Sequence, residues 1–289
     1  MLSVLDLFAQ GIIQANFIEL TPDLGDLFST YWSRIMPPER QGNIALPFFH
    51  LRSSEFWHLI PQPGQNEILF KMKQVDSLSR LKKVALGAKL DDELFALIQT
   101  DDGRNTLRTV LIENYFSQDA QNALIAQTTL NIQSFVYSQE LVEKARKQIR
   151  ESLVVMDETL QQVRDQGFRK AIVRIYEHRC AFCGVRLTTV DGHSVIEAAH
   201  IIPWCISHND DLHNGMALCR LCHWTFDEGL LSVSAKYLVV VSSELRITSN
   251  MPGHLLTLES RPIVGPMEQK LYPDLESLEW HRQNVFRKV

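Results

Sequence analysis

Four cysteines stand in two Cys-x-x-Cys pairs, Cys180 with Cys183 and Cys219 with Cys222. A pair at this spacing on a turn puts two sulfurs on one side of the backbone. A second pair closes a tetrahedron, the geometry of a structural Zn2+ site. The 35 residues between Cys183 and Cys219 exceed the ~15–20 of common zinc ribbons, which leaves room for a hairpin and a loop with other duties. Inside or beside this interval lie His200, Asn214, His223 and Asp227, none of which a four-thiolate zinc needs. His223 and Asp227 are four residues apart on an expected helix and share a face. An imidazole and a carboxylate so placed can hold one hard divalent ion. A lone histidine is usually structural, but three polar groups within one cysteine clip point to a reactive centre. Cys205 is the odd cysteine and reads as a small buried thiol.

The elements that must position these groups alternate short apolar runs with turns. Val185 to Val190 and Ser194 to Ala199, joined at Asp191-Gly192, predict a hairpin with a type I′ turn. Met216 to Phe226 reads as helical, and Leu230–Ser234 with Tyr237–Ser242 as a second hairpin. A helix from about Glu158 to His178 leads into Cys180, and a C-terminal helix spans 275–289, where Trp280 and His281 read as packing groups.

Upstream, residues 2–13 have helical spacing of apolar groups. Thr21-Pro22 caps a second helix, Asp91 to Glu93 opens another, and Thr106 to Tyr115 forms one more. Ala45 to Ile60 is aromatic-rich and reads as a pair of strands or a strand and turn, with Phe48, Phe49, Phe56 and Trp57 interleaved with His50, Arg52 and His58. Core packing explains the rings taken singly; a basic-aromatic mixture is also what a nucleic-acid pocket uses. Residues 120–150 are polar and Gln-rich with helical propensity. The expected class is α+β, with a helical-plus-strand domain at 1–120, a helical linker at 121–160 and a zinc-clipped domain at 161–289.

With 289 residues, 45% of them hydrophobic and 22% charged, the composition is that of globular domains. No apolar run reaches the ~20 residues that span a bilayer. The first residues carry no basic region and include Asp6, which argues against a secretory signal. Paired cysteines used as metal ligands fit a reducing, cytoplasmic setting. The formal net charge is −5, so nucleic-acid binding has to be argued from local charge. Lys71, Lys73, Arg80, Lys82, Lys83 and Lys89 share a window whose only acid is Asp76, and Arg164 to Arg179 is a second basic window. Two such windows, one beside the cysteines, point to phosphate contacts rather than solvated helix faces.

Cys-x-x-Cys, Ala-Ala-His-Ile-Ile-Pro, Asn-Gly-x-x-Leu-Cys and His-x-x-Phe-Asp-x-Gly together resemble the HNH endonucleases of ββα-metal fold, over about Cys180 to Val241. The resemblance implies that His200 is the general base, that Asn214 braces the loop positioning it, and that His223 binds a catalytic Mg2+ or Mn2+. Relatives place Asp or His before the base, where this chain has Ala199; Asp227, Glu197 or water would then complete the ion's ligands. The N-terminal half resembles the sulfur-binding domains fused to HNH modules in restriction enzymes that read phosphorothioate DNA. It does so through Leu-Pro-Phe-Phe-His-Leu-Arg, Phe-Trp-His-Leu and Leu-Ile-Glu-Asn-Tyr-Phe. The resemblance implies an apolar sulfur pocket at Phe116, Ser117 and Ala120, with Ser117 where relatives carry proline, and phosphate or pocket contacts from His50 and Arg52. The function expected is restriction of modified double-stranded DNA. A homodimer is left open, a reader of methylated or otherwise modified cytosine is one alternative, and a non-catalytic zinc-dependent DNA-binding module is another.

Overall fold

The computed structural model describes residues 1–40, 42–149, 158–189, 193–247 and 251–287. It divides into two compact units, Met1–Ile132 with Thr188–His193, and Gln133–Leu187 with Ser194–Val289. Among the described residues no helix is long and apolar enough to cross a membrane.

The first unit packs helices around a small antiparallel sheet. Its elements are α1 (Leu2–Ala9), β1 (Ile18–Glu19), α2 (Pro22–Ile35), α3 (Ala45–His50), β2 (Trp57–Pro61), α4 (Asn66–Lys71), α5 (Leu78–Val84), β3 (Ala85–Leu90), α6 (Asp92–Leu97) and α7 (Asp101–Tyr115). The long α8 (Gln118–Arg146) follows. Strand order is β1-β3-β2. Side-chain oxygens cap α2, α5, α6 and α7: Thr21 accepts from the Leu24 amide, Ser77 from Arg80, Asp91 from Leu94 and Thr100 from Gly103. Each cap satisfies an amide that the helix itself leaves open. Leu5, Leu24, Phe49, Trp57, Leu81 and Leu90 fill the core.

That unit holds a buried ion pair, Asp6 with Arg108. Asp6 is fully buried and accepts from Arg108 Nη2 at 2.9 Å, Tyr31 Oη at 2.7 Å and Asn131 Nδ2 at 2.9 Å. The carboxylate thereby ties α1 to α2, α7 and α8. A buried ion pair of this kind is costly to break because the survivor is left uncompensated.

The second unit contains α9 (Glu158–Ile175), β4 (Ile196–His200), α10 (Trp204–Ser207), β5 (Gly215–Cys219), α11 (Arg220–Asp227), β6 (Leu231–Val233), β7 (Val239–Val241) and α12 (Leu275–Asn284). Strands β4 and β5 are antiparallel, with Ala199 opposite Met216 and His200 opposite Gly215. Helix α9 lies against both. A side chain at 215 would bring its Cβ to 2.4 Å from Ile172 Cδ1 and 2.8 Å from Phe168 Cζ, so glycine there lets α9 approach the strand that faces His200.

Several expectations change. Ala45 to Ile60 yields one strand preceded by a helix: Asn43 Oδ1 accepts from the Ala45 amide at 3.0 Å in the turn that leads into α3. A short 3-10 turn (Leu51–Ser53) then precedes β2. Met216–Phe226 is a strand followed by a helix, because Gly215 to Cys219 is buried throughout and an apolar run buried on both faces has no period to distinguish it from helix. The expected hairpin keeps two rungs, Thr189 N to His193 O at 2.8 Å and Val195 N to Leu187 O at 3.0 Å, but β4 takes β5 as its strand partner. The Asp191-Gly192 turn lies outside the described residues, as do residues 150–157 of the expected linker. Cys205 is exposed rather than buried, on the single surface turn of α10 beside exposed Ile206.

Helix α12 anchors α11 through His281, which is 1% exposed and stacks on Phe226 with centroids 3.7 Å apart. Its Nε2 meets the Phe226 carbonyl at 3.0 Å and its Nδ1 meets Ser232 Oγ at 2.9 Å. Burial lowers its pKa from 6.5 to about 4. Between these values the unfolded chain binds the proton and the folded chain does not. Stability is therefore full above about pH 6.5 and falls as pH drops toward 4, by about 3 kcal/mol at most. Urea unfolding at a series of pH values should show this loss, and His281→Gln should flatten it. A pH dependence that the substitution leaves unchanged would assign the loss to other groups.

Candidate active site

The four cysteine sulfurs lie within 4.8 Å of one another and are the only such metal-ligating cluster among the described residues. Cys180 and Cys183 sit in a tight turn after α9, where Cys180 N bonds Val185 O at 2.9 Å and Gly184 N bonds Cys180 O at 2.9 Å. Gly184 takes a positive φ of 71°, which glycine adopts without strain. Cys219 ends β5, and Cys222 lies in the first turn of α11. The Cys183 and Cys219 sulfurs are 3.8 Å apart. A tetrahedral zinc with Zn–S bonds of about 2.3 Å sets its sulfurs about 3.8 Å apart, so the cluster fits that ion.

The sulfur chemistry agrees. Hydrogen bonding from Cys180 lowers the thiol pKa of Cys183, and lowers that of Cys219 to about 6. Hydrogen bonding with Cys183 raises Cys180, and hydrogen bonding with Cys180 raises Cys222. Four thiolates this close need a cation between them.

Beside the clip, His223 projects from α11 between two carboxylates. Its Nδ1 is 2.9 Å from Glu197 Oε2 on β4, and its Nε2 is 3.5 Å from Asp227 Oδ2. Arg220 Nε also meets Glu197, at 3.2 Å. Burial raises the Asp227 pKa, against the opposing pull of His223. The two carboxylates flank opposite ring nitrogens, so one ion would take His223 with one of them and draw its remaining ligands from water. Glu197 precedes Ala199 by two positions and so shares its face of the strand.

His200 closes β4. Phe168 of α9 stacks on its ring, with centroids 4.0 Å apart and planes 6° from parallel. Its Nε2 is 2.8 Å from Asp210 Oδ1. Asn214 is 1% exposed and ties down the loop that follows. Its Oδ1 accepts from Ile202 N at 2.9 Å, and its Nδ2 donates to Ile202 O and Asn209 O, both at 3.1 Å. His200 and Asn214 thus serve one loop, while His223, Asp227 and Glu197 form a separate polar group on the same ββα element. Sequence reading passed over Asp210, Arg164 and Tyr137. Arg164 in particular was counted in a basic window expected to face phosphate, yet it is buried against Asp210.

The candidate DNA contacts of the first unit fall into two groups. Phe116, half-buried, ends α7 and packs against the cluster of Leu2, Tyr31, Ile112 and Leu124. Ser117 is exposed, and Ala120 is half-buried on α8. His50 is exposed at the end of α3, its ring edge-on to Phe49. The Arg52 guanidinium bonds the carbonyls of Leu69, at 2.9 Å, and Met72, and lies 3.9 Å over the Phe49 ring. It satisfies the open carbonyl end of α4, which leaves less of it for a phosphate. Lys73, Lys82, Lys83 and Lys89 are exposed, whereas Lys71 and Arg80 pair with Glu67 and Asp76.

A strand pair, a helix and a histidine at the end of the first strand, clipped by four cysteines, define a ββα-metal site. Residues 180–234 match the HNH endonuclease family, and residues 14–133 match the ScoMcrA-like DNA sulfur-binding domain. The chain thus joins an HNH endonuclease domain to a DNA sulfur-binding domain. Among solved structures, a modification-dependent TagI restriction endonuclease is 22% identical over 46% of this chain and 44% of that one, with a TM-score of 0.32. The chain therefore spans under half of that protein. No curated protein gives a significant match.

Removing one thiol should test the clip. Protein purified without chelator should hold about one zinc per chain, and Cys180→Ser should lose both the zinc and thermal stability, because metal binding and folding are coupled here. Metal analysis that finds zinc-free, fully folded wild-type protein would refute the assignment.

Proposed function

We propose that the chain is a divalent-metal-dependent endonuclease that cuts modified double-stranded DNA, with phosphorothioate as the modification read. The observation that carries the reading is His200 and the His223–Glu197–Asp227 group on one zinc-clipped ββα element. Residues 1–120 would read the DNA, 121–160 link, and 161–289 cut, in the cytoplasm. One site per chain nicks one strand, so a double-strand break calls for a homodimer or two successive events.

In this reading His200 takes a proton from water as the new P–O bond forms and the bond to the leaving oxygen breaks. Asn214 keeps the loop behind His200 from moving. His223, with Asp227, Glu197 or water completing the ligands, would hold Mg2+ or Mn2+, which would supply Lewis-acid stabilisation of the crowded anionic phosphorus and the leaving oxygen. Cys180, Cys183, Cys219 and Cys222 hold the strand and helix ends that position these groups. His200→Ala should lower plasmid nicking by about 10²-fold or more while leaving DNA affinity within about twofold. Nicking at the wild-type rate would remove His200 from the chemistry.

On the reading side, sulfur is larger, more polarisable and less strongly hydrated than the oxygen it replaces. An apolar contact surface at Phe116, Ser117 and Ala120 would favour it, with His50 and, in part, Arg52 as accessory contacts and exposed lysines supplying attraction that is independent of sequence. Full-length His200→Ala protein, titrated at one salt concentration against duplexes differing by a single sulfur, should bind the sulfur duplex more tightly. Adding Phe116→Ala should mainly erase the difference. Equal affinities for the two duplexes would leave a reader of another modification, such as a modified cytosine, and no binding to either would remove the reader assignment.

A further inference from the structure

Asp210 is the best-connected buried acid of the second unit, and neither the zinc clip nor the ion-binding group uses it. It lies in the loop that Asn214 ties down and is 5% exposed. Arg164 Nη1 donates to Oδ1 at 2.8 Å and to Oδ2 at 3.0 Å, and Tyr137 donates to Oδ2 at 3.0 Å. Behind them, Arg164 Nη2 bonds Asp165 and its guanidinium lies 3.5 Å over the Trp204 ring. Burial, with the neighbouring Asp210 charge, pushes the Tyr137 phenol well above its ordinary range, so it stays a donor. Arg164 can only donate and the Tyr137 hydroxyl donates here, so the carboxylate accepts from both.

The remaining partner is His200, whose Nε2 stands 2.8 Å from Oδ1. Facing an acceptor, Nε2 must carry the ring proton, and the lone pair falls to Nδ1. Among the described residues Nδ1 has no protein hydrogen-bond partner, and the side chain is 18% exposed, so water can reach it. Phe168 fixes the ring plane. The shell makes a rigid tautomer selector: a carboxylate free to rotate would not discriminate, and here Arg164 and Tyr137 prevent rotation.

We propose that Asp210, held by Arg164 and Tyr137, is the positioning residue for His200, keeping the proton on Nε2 so that Nδ1 is the atom that deprotonates water. This rests on the reading of His200 as general base. The step balances: Nδ1 gains the water proton, the hydroxyl oxygen bonds phosphorus, the leaving oxygen departs with its electron pair and is protonated by solvent, and nothing is oxidised or reduced.

Two measurements test it. Full-length wild-type protein with 15N-labelled histidine should show the His200 ring, assigned by the signals lost in His200→Gln, as the neutral tautomer protonated on Nε2. An Nδ1-protonated ring would overturn the proposal, and this readout needs no altered Asp210. Asp210→Asn should lower kcat about 10²-fold, with KM, DNA affinity and zinc content within about twofold of wild type, and Tyr137→Phe should lower kcat a few-fold. A kcat for Asp210→Asn within about threefold of wild type would also overturn it. Failure of the base reading is distinguishable: His200→Ala would then still cut, whatever tautomer the spectrum reports.

Discussion

Repulsion among four sulfurs is the constraint on which the second unit depends. Brought within 4.8 Å, they cannot all ionise without a cation, because like charges at that distance repel. A zinc ion would resolve that conflict and would thereby join the turn after α9 to the junction of β5 and α11. Both polar groups of the site hang from those elements. His223 is the residue after Cys222, and His200 lies opposite Gly215 on the strand that ends at Cys219. A change of angle at the clip therefore moves His223 relative to Glu197, and β5 relative to β4.

The chemistry-bearing residues were legible because their spacing is short and their types are rare. Cys-x-x-Cys and the i, i+4 pair His223 and Asp227 need only a turn and a helix to bring them together. Asp210 was not legible for the opposite reason. It meets Arg164 across 46 residues and Tyr137 across 73, and nothing in an Asn-Asp-Asp loop marks one acid as buried. Arg164 was misjudged on the same ground, since a count of basic residues in a window cannot say which of them point inward. Glu197 was reachable in principle from the period of two along a strand, once β4 was placed.

Secondary structure failed where burial removed periodicity. Gly215 to Cys219 is buried on both faces and alternates nothing, so propensity alone favoured a helix. Ala45 to His50 is helical through local chemistry: the turn closed by Asn43 on the Ala45 amide and the one-sided burial of Phe48 and Phe49 outweigh the strand preference of the aromatic rings. The caps at Thr21 and Asp91, by contrast, mark helix starts within a residue or two, because a side-chain oxygen can satisfy an amide only at that position; α7 starts at Asp101, five residues before the expected Thr106, on the Thr100 cap that the reading passed over.

Charge placement adds a constraint on how such a chain would engage a polyanion. The net charge is −5, and two of its arginines, Arg108 and Arg164, are buried against Asp6 and Asp210. Neither can neutralise a phosphate. The exposed Lys73, Lys82, Lys83 and Lys89 belong to the first unit, while the candidate ion site of the second sets Glu197 and Asp227 around one histidine. Two carboxylates repel an incoming phosphate unless a cation lies between them, since like charges at contact distance are unfavourable even in a fairly high dielectric. In the proposed reaction the divalent ion would therefore serve binding at the scissile phosphate as well as catalysis. By linkage, the DNA and the ion would each raise the other's affinity at that site by the same factor. The lysines of the first unit would supply attraction that does not depend on the ion, so recognition and cutting would be separable by metal even though one chain performs both.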